Sequence, residues 1–332
     1  MMIFLDGFDY LTAANFNLKW DSFSGAALQT GIFGVGKATT LGTGTKTLGS
    51  NFVTGFNGWH FYTGPGGAQV IHRWRDAGTD QVTLNLDATL ALFFTRAGTT
   101  IGSVGAPSTR LVANTWYWIE TQVKIDATTG IASVNVNGNS VLSQSGLNTK
   151  NTANAFFNQL VVTSGGSGQQ GDSYHFWDGT VSSGNDPSAL GYGEHVIDSK
   201  LPNAVGSNSA WTPNGAGNNF TKVNEANEDG DTTYVSTNVA ANVDSYGFAN
   251  VTVSTGTIGI IAINTIDRID DAGPHTFDHF TLSAGSTHLS GGITPGATYV
   301  NHQSFVVVDP NTGAAWTIAG RNAAEFGYKF IS

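Results

Sequence analysis

The sequence contains no cysteine and few charged residues, and both shortages restrict what the protein can be. Without cysteine there is no disulfide framework, no thiol nucleophile and no cysteine-ligated zinc, which is compatible with folding in a reducing cytosol. Only 11% of the 332 residues are charged, against a typical ~25%. We therefore expect a surface built mainly from threonine, serine, asparagine and glycine.

Basic residues and long apolar runs are scarce as well. The chain has 14 Lys and Arg against 24 Asp and Glu, a net charge of −10, and its acids are scattered. Because nucleic-acid binding needs a basic face, we predict no DNA or RNA partner. No apolar run approaches the ~20 residues that span a bilayer, and the first residues, MMIFLDGFDYL, lack the basic region of a signal peptide. We predict no membrane partner.

What the chain does have is glycine and period-2 alternation. Glycine occurs 43 times, about twice its usual share, and helical periodicity is hard to find. Val82, Leu84 and Leu86 alternate with polar residues, and similar short segments recur between turn signals. Such a pattern predicts an all-β protein, with an N-terminal jelly-roll sandwich and a smaller C-terminal β-sandwich.

The alternation also suggests where the domains lie. It is strong over residues 1–180, fades through a segment rich in Gly, Asn, Ser and Pro at 181–235, and returns over 236–332. The middle segment is too long for an ordinary loop. We predict that it is an extended connector that packs on one domain or on a neighbouring subunit.

The most regular stretch is WYWIETQVKIDATTGIASVNVNG, residues 116–138. Alternation predicts two strands joined by a turn at 126–130, with Ile119 and Val123 on the buried face and an Asn-Gly turn at the end. Trp116, Trp118 and Glu120 lie together on the other face, where they could form a sugar-binding platform. Alternatively, the tryptophans cover the second face of the sandwich or contact the other domain, and we favour this alternative.

Catalysis needs more than Glu120. Glycosidases use two carboxylates about 5–9.5 Å apart, and Glu120 has Gln122 and Lys124 as its neighbours on the same face. The only acidic pair at that spacing, Asp229 and Asp231, belongs to the loop NEDGDTTY. A partner from another strand stays possible, but we predict no catalytic residues.

Three further patterns suggest ligand sites, and each has a simpler explanation. GIFGVGKA, residues 31–38, resembles a phosphate-binding loop but lacks the following Ser or Thr and a helix. Residues 227–231 could bind Ca²⁺, yet the later positions of such a loop are wrong. His275 and His279 are about 13 Å apart on a strand, too far for one metal ion. We predict no metal and no cofactor.

Two resemblances to known families follow from particular residues. The pattern Asn114-Thr-Trp116, Asp126-x-x-x-Gly130 and Val136-Asn-Gly138 resembles the concanavalin A-like, laminin-G-type jelly roll. That resemblance implies a sandwich of two curved antiparallel sheets over about residues 1–180. It implies no activity, because the fold includes lectins, glucanases and purely structural modules.

The second resemblance lies further along the chain. Trp211-Thr-Pro-Asn-Gly, Asn219-x-x-x-Val223-Asn-Glu225 and Asp229-Gly-Asp-Thr-Thr-Tyr-Val235 resemble a segment of tailed-bacteriophage virion proteins, and the C-terminal residues 309–317 and 326–330 resemble the end of the same family. It implies a minor head or tail component, such as a decoration protein, spike or fibre subunit. Such a protein is made in the bacterial cytoplasm and acts by assembly with other phage proteins, in a homo-oligomer that could be a trimer.

The predicted sites follow from these interpretations. For assembly we select five residues of the connector: Trp211, Pro213, Asp229, Asp231 and Tyr234. The two aromatic residues would be buried anchors, and the two aspartates would bind backbone N–H groups. The alternative function is a lectin-like module for host-surface glycans that uses Trp116, Trp118 and Glu120. A glucanase-like hydrolase is disfavoured by the missing carboxylate pair.

Overall fold

The protein is all-β, and its strands group into two compact units. The computed structural model describes residues 1–10, 15–24, 28–32, 37–40, 42–163, 168–180, 193–253 and 255–332. The described residues up to Ile197 belong to the first unit, and Asp198–Ser332 belong to the second. In these described ranges, no helix has the length and apolar character needed to cross a membrane.

The first unit is a jelly-roll sandwich of two antiparallel sheets. The eight-stranded sheet has the order β13-β12-β11-β6-β15-β4-β3, with β1 also paired to β15. Its strands are β1 Met2–Asp6, β3 Leu28–Thr30, β4 Lys37–Thr40, β6 Thr54–Tyr62, β11 Trp116–Lys124, β12 Gly130–Val136, β13 Asn139–Leu147 and β15 Gln170–Trp177.

The second sheet of the sandwich has seven strands in the order β10-β9-β8-β7-β14-β5-β2. They are β2 Ser22–Ser24, β5 Thr43–Phe52, β7 Gln69–Asp76, β8 Thr79–Leu86, β9 Leu92–Arg96, β10 Thr99–Ile101 and β14 Phe157–Thr163. Short 3₁₀ helices at Phe16–Leu18 and Pro107–Thr109 complete the described structure of this unit.

The core of the sandwich lies between the inner faces of the two sheets. Its 28 buried residues include Ile119 and Val123 from β11, as alternation in the sequence predicted, and Trp74 and Leu84 from the opposite sheet. Because successive side chains of a strand point to opposite faces, the intervening residues of β11 lie on the other side of their sheet. We call that side, which faces away from the core, the outer face.

The predicted hairpins after Trp116 are present, and local chemistry explains their turns. Asp126 accepts hydrogen bonds from the backbone N–H groups of Thr128 and Thr129 at 2.8 Å each, and these bonds lower its pKa to about 2. At the next turn, Asn137 and Gly138 both have positive φ, 49° and 76°. Two such residues form the turn type that joins tightly paired strands.

The second unit contains a five-stranded sheet, β16-β19-β24-β21-β22, and two separate strand pairs, β17-β18 and β20-β23. Its elements are β16 Pro202–Ser209, β17 Thr212–Pro213, β18 Val235–Ser236, β19 Val243–Phe248, β20 Ile261–Asp267, β21 Phe277–Ser283, β22 Ser286–Leu289, β23 Val300–Val306, α1 Ile318–Ala323 and β24 Glu325–Phe330. One 3₁₀ helix spans Asn219–Lys222.

Its core is much smaller than that of the sandwich. Among the described residues of the second unit, the buried apolar cluster has five members: Ile263, Val306, Trp316, Ala324 and Phe326. Tyr246, Phe277, Phe280 and Phe330 are also buried but lie outside this cluster.

The predicted connector, 181–235, differs from what the structure shows. Residues 181–192 lie outside the described residues, but β16, inside the predicted connector, pairs with β19 and forms one edge of the C-terminal sheet. Most of its residues are exposed or half-buried, and its pairing is interrupted at two irregular positions. An edge strand with bulges and no buried face needs no apolar alternation, so the sequence pattern did not reveal it.

Candidate functional site

On the outer face of the eight-stranded sheet, strand register brings together residues that are distant in sequence. β11 pairs with β6 so that Trp118 lies opposite His60 and Glu120 lies opposite Gly58. β15 pairs with the other side of β6 and places His175 opposite the same glycine. Because these residues all belong to the alternation that faces away from the core, their side chains meet on one surface.

Aromatic and imidazole rings pack closely over this surface. The ring centroid of Trp118 lies 4.8 Å from that of His60 and 5.4 Å from that of His175. His175 also stacks on Trp177 at 4.8 Å. These four side chains are each at most 1% exposed. They therefore form a second packed layer, separate from the core of the sandwich.

Residues 193–197, which we call the strap, cover this layer. The His195 ring is nearly parallel to the rings of Trp118 and His175, with interplanar angles of 21° and 13° and both centroid distances at 5.3 Å. The strap thus adds a third imidazole to the two contributed by β6 and β15. The three histidines cluster around Trp118, with the His60 ring tilted by 58° to the indole, although no spacing in the sequence connects them. We call this cluster the histidine stack.

Two hydrogen bonds fix the N-terminal part of the strap to the sheet. Glu194 Oε1 lies 2.8 Å from His60 Nε2, and the backbone N–H of Gly193 donates to Glu120 Oε1 at 3.3 Å. The strap therefore brings a second carboxylate to this face, one that a search along the strand of Glu120 could not find.

Burial determines the charge state of the stacked histidines. It lowers the pKa of His60, His175 and His195, since an imidazolium loses its hydration when it is enclosed. For His175 the pKa falls well below the usual value, and the two neighbouring histidines act in the same direction. The hydrogen bond to Glu194 opposes the effect of burial on the pKa of His60 without reversing it. Burial therefore favours the uncharged form of all three rings.

Several buried polar atoms in this layer have no protein partner. Within the part of the chain that the structure describes, Trp118 Nε1, Trp177 Nε1 and His175 Nε2 make no hydrogen bond. An unsatisfied buried donor typically costs about 1–3 kcal/mol. These unsatisfied atoms therefore offset part of the stability that the dense ring packing gives to the covered face.

A glycine makes this packing possible. A Cβ added at Gly58 would lie 2.5 Å from Cε1 and 2.6 Å from Nε2 of His175, and 2.8 Å from Cζ2 of Trp118. Real Cβ atoms do not approach other atoms so closely. The absence of a side chain at position 58 thus lets the imidazole and the indole lie directly on the strand.

The residues predicted to bind sugar are separated by the structure into buried and accessible ones. Trp118 is 1% exposed and Glu120 is fully buried, so they are not an open platform, because the strap and the histidines lie over them. Trp116 is half-buried and packs against Tyr62 with 5.4 Å between ring centroids. Of the three predicted residues, it is the one that a ligand could reach without movement of the strap.

The predicted assembly residues Trp211 and Pro213 make contacts within the second unit. The backbone N–H of Trp211 donates to buried Asp244 at 3.0 Å, and its indole packs on Tyr328 with 4.6 Å between centroids. Pro213 pairs with Val235 in the short β17-β18 sheet. Trp211 therefore anchors its own chain segment, and its side chain is only half exposed to other molecules.

Asp229, Asp231 and Tyr234 lie nearer the surface. Asp229 accepts hydrogen bonds from the backbone and the hydroxyl of Thr233 at 3.0 and 2.9 Å, so it stabilises its own turn. Asp231 forms an ion pair with Arg268 at 2.7 Å and accepts the Tyr299 hydroxyl at 2.8 Å. Tyr234 is 38% exposed and is the aromatic residue of this set that a partner could contact.

The second unit also contains a buried polar centre that the sequence did not indicate. Asp244 is completely buried and accepts hydrogen bonds from the Trp211 backbone, from Asn219 Nδ2 at 2.6 Å and from the Tyr246 hydroxyl at 2.8 Å. The hydroxyl of Tyr246 lies 2.5 Å from that of Tyr328. This carboxylate holds the segment after β16 against the C-terminal sheet.

The other candidate ligand patterns lie near β4 and in the second unit. The phosphate-loop pattern at 31–38 lies partly outside the described residues, and its described end, Ala38, is buried in β4. His275 contacts Asp271, whereas His279 contacts Thr265 and Ser304, so the two histidines diverge. Among the described residues, no group of three or more His, Asp or Glu side chains is placed to hold a metal ion.

Comparisons with known proteins give only distant likenesses. No protein-family model and no curated protein sequence matches the chain. Among solved structures, the chain is similar to alginate lyase Aly36B at 14% identity, over 50% of this chain and 90% of that one, with a TM-score of 0.32. It is similar to galectin LEC-6 of Caenorhabditis elegans at 14% identity, over 40% and 89%, with a TM-score of 0.29.

A third likeness is to the catalytic domain of a glycoside hydrolase family 131 protein from Coprinopsis cinerea. Identity is 11%, the match covers 44% of this chain and 71% of that one, and the TM-score is 0.27. We draw no function from these three likenesses. The jelly-roll architecture of the first unit is evident from its own strand order and register.

Proposed function

We propose that this protein is a structural component of a tailed-bacteriophage virion, a decoration, spike or fibre subunit, and that it acts by assembly rather than catalysis. The virion context comes from the motifs around Trp211 to Val235 and at the C-terminus, which resemble phage structural proteins. The observation that carries the assembly mechanism is the small apolar cluster of the second unit, which has five buried residues among those described in Asp198–Ser332, whereas the cluster in the sandwich has 28.

Such a unit has apolar surface available for a partner. Among the described residues of this unit, the exposed large apolar side chains are Val205, Tyr234, Val239, Val253, Leu289, Val300 and Ile331. Domains that bury little apolar surface by themselves commonly depend on oligomerisation for stability. A second copy or a neighbouring virion protein would cover part of this surface, and the homo-oligomer could be a trimer.

The outer face of the sandwich supports a role without catalysis. Glu120 is buried under the strap, and burial favours the uncharged form of the histidines beside it. A hydrolase of this type needs an open cleft with two carboxylates on either side of the substrate. On this face of the sandwich, the strap lies over Glu120 and its Gly193 N–H donates to the carboxylate, which supports the proposal of a role without catalysis.

The direct test is mass spectrometry of purified virions. The protein should be present in fixed stoichiometry with the capsid or tail proteins, and its absence from intact particles would refute the virion proposal. Light scattering of the isolated protein tests the oligomer. Tyr234→Ala should reduce the oligomeric mass, whereas Val112→Ser, at a 61% exposed position of the first unit, should leave it unchanged.

A second candidate function, glycan binding, is favoured by one observation. Trp116 and Tyr62 form a half-buried aromatic pair on the outer face, and aromatic faces commonly stack on sugars. The protein would then bind host-surface glycans through this pair. A glycan-binding assay tests it: wild type should bind and Trp116→Ala should lose binding, and a wild type that binds no glycan removes this candidate.

A further inference from the structure

The arrangement of the strap over the imidazole stack has a consequence for pH. Five titratable groups meet there: His60 on β6, Glu120 on β11, His175 on β15, and Glu194 and His195 on the strap. The strap supplies one of the three imidazoles and one of the two carboxylates. Any change in charge within the group therefore acts on the contacts that hold the strap down.

We propose that the strap, residues 193–197, is an acid-released cover: protonation of the histidine stack separates it from the outer face and exposes Trp118 and His175 to solvent. The inference does not depend on the proposed virion role. It rests on the position of His195, a residue of the strap, against the rings of Trp118 and His175.

Proton uptake is easier at one of the three positions than at the others. His60 has the Glu194 carboxylate at 2.8 Å, so its imidazolium would be balanced by an ion pair. The rings of His175 and His195 are stacked on each other with 5.3 Å between their centroids. Two imidazolium charges at that distance repel, and burial strengthens the repulsion because a protein interior screens charges less than bulk water does.

Movement of the strap removes this repulsion, because His195 then leaves the stack and water reaches His175. Burial lowers the pKa of all three histidines in the covered state. The uncovered state therefore binds more protons below the ordinary pKa of about 6.5, and acid favours it. Trp118 Nε1 and His175 Nε2, which lack a protein partner in the described structure, would also gain hydrogen bonds to water.

The absence of cysteine provides a clean assay. Val196→Cys places a single thiol on the half-buried strap, and Val239→Cys places one at a 55% exposed position of the second unit. Dividing the labelling rate of the strap variant by that of the second-unit variant cancels the intrinsic pH dependence of thiol reactivity. Below about pH 6.5 we expect this ratio of labelling rates to rise about tenfold per pH unit for each proton that is taken up when the strap is released.

Two histidine variants complete the experiment. His195→Phe keeps an aromatic ring in the stack but cannot be protonated, so it should shift the rise in labelling to lower pH. His288→Phe changes an exposed histidine of the second unit and should have no effect. Far-UV circular dichroism at each pH shows whether the sandwich stays folded.

Three outcomes would overturn the proposal. The ratio could stay constant between pH 7.5 and 5, His195→Phe could leave the rise unchanged, or the rise could coincide with loss of the far-UV signal. The third outcome would mean that acid unfolds the whole protein rather than releasing the strap. The first outcome is decided with the wild-type histidines in place, so a variant that fails to fold does not remove the test.

Discussion

Gly58→Ala is the most informative single substitution, because the added methyl group would occupy space that His175 and Trp118 already fill. The new Cβ would lie 2.5 Å from His175 and 2.8 Å from Trp118, and both rings are buried and enclosed by others. Overpacking of this kind costs about 1–3 kcal/mol. Against it stands a gain of about 0.4–1 kcal/mol, since alanine restricts the unfolded chain more than glycine does.

Gly49→Ala is the matched control. Gly49 lies in a strand of the same sandwich, β5, and a Cβ there would meet nothing within 4 Å. Neither Gly58 nor Gly49 has a positive φ, so alanine is sterically allowed at both. The unfolded-state gain cancels between the two variants, and the difference in their stabilities should equal the overpacking cost of about 1–3 kcal/mol.

The assay is equilibrium unfolding in guanidinium chloride followed by tryptophan fluorescence. Six of the eight tryptophans (positions 20, 59, 74, 116, 118 and 177) belong to the first unit, so the signal reports mainly on the sandwich. Gly58→Ala should unfold at lower denaturant than wild type, and Gly49→Ala should not. If the two variants had equal stability, His175 and Trp118 could not lie over Gly58 as described.

Three further predictions concern other parts of the molecule. Burial raises the pKa of Asp172 from 3.8 to about 7. Between these two pH values the folded wild type keeps a proton on Asp172 that the unfolded chain releases. The free energy of unfolding of the wild type therefore falls as the pH rises from about 4 to 7. Asp172→Asn lacks this proton, so its stability relative to wild type should grow by up to ~1.4 kcal/mol per pH unit between about pH 4 and 7 and then level off. A difference in urea unfolding that does not depend on pH would contradict this. Asp244→Ala leaves the Trp211 N–H and two side-chain donors without their acceptor, and it should destabilise the second unit by about 2–4 kcal/mol. Asp229→Ala is the control, because it lies in an exposed turn and should have little effect in the same unfolding assay. Gly138→Ala, at a φ of 76° with open space around it, should cost about 1–2 kcal/mol of backbone strain, and no change in the melting temperature would argue against the tight turn.

Much of the fold could be predicted because it follows from local patterns. The alternation in residues 116–136 predicted two strands and placed Ile119 and Val123 in the core, as the structure confirms. The Asn137-Gly138 turn is likewise present, since few residues tolerate two successive positive φ angles. The β16 strand escaped prediction because it lies at a sheet edge and buries neither face, and so nothing selects for apolar alternation there.

The functional candidates depended on information that no local pattern contains. Sequence spacing gave no reason to connect His60, His175 and His195, and they meet only because β6 pairs with β15 on one side while the strap lies on top. Glu120 looked like an accessible polar residue beside two tryptophans, whereas the strap buries it. Trp211 was predicted as an interface anchor, but Asp244 and Tyr328 hold it within its own unit.

The sequence by itself determined that the chain is all-β, that its strands alternate between buried and outward-facing residues, and where its tightest turns lie. These properties arise from neighbouring residues, through the two-residue period of a strand and the φ preferences of Asn and Gly. Only the tertiary structure decided that the outward-facing side of β11 is covered rather than open. That outcome depends on long-range register and on the strap, which together place an imidazole over the tryptophan that would otherwise face solvent.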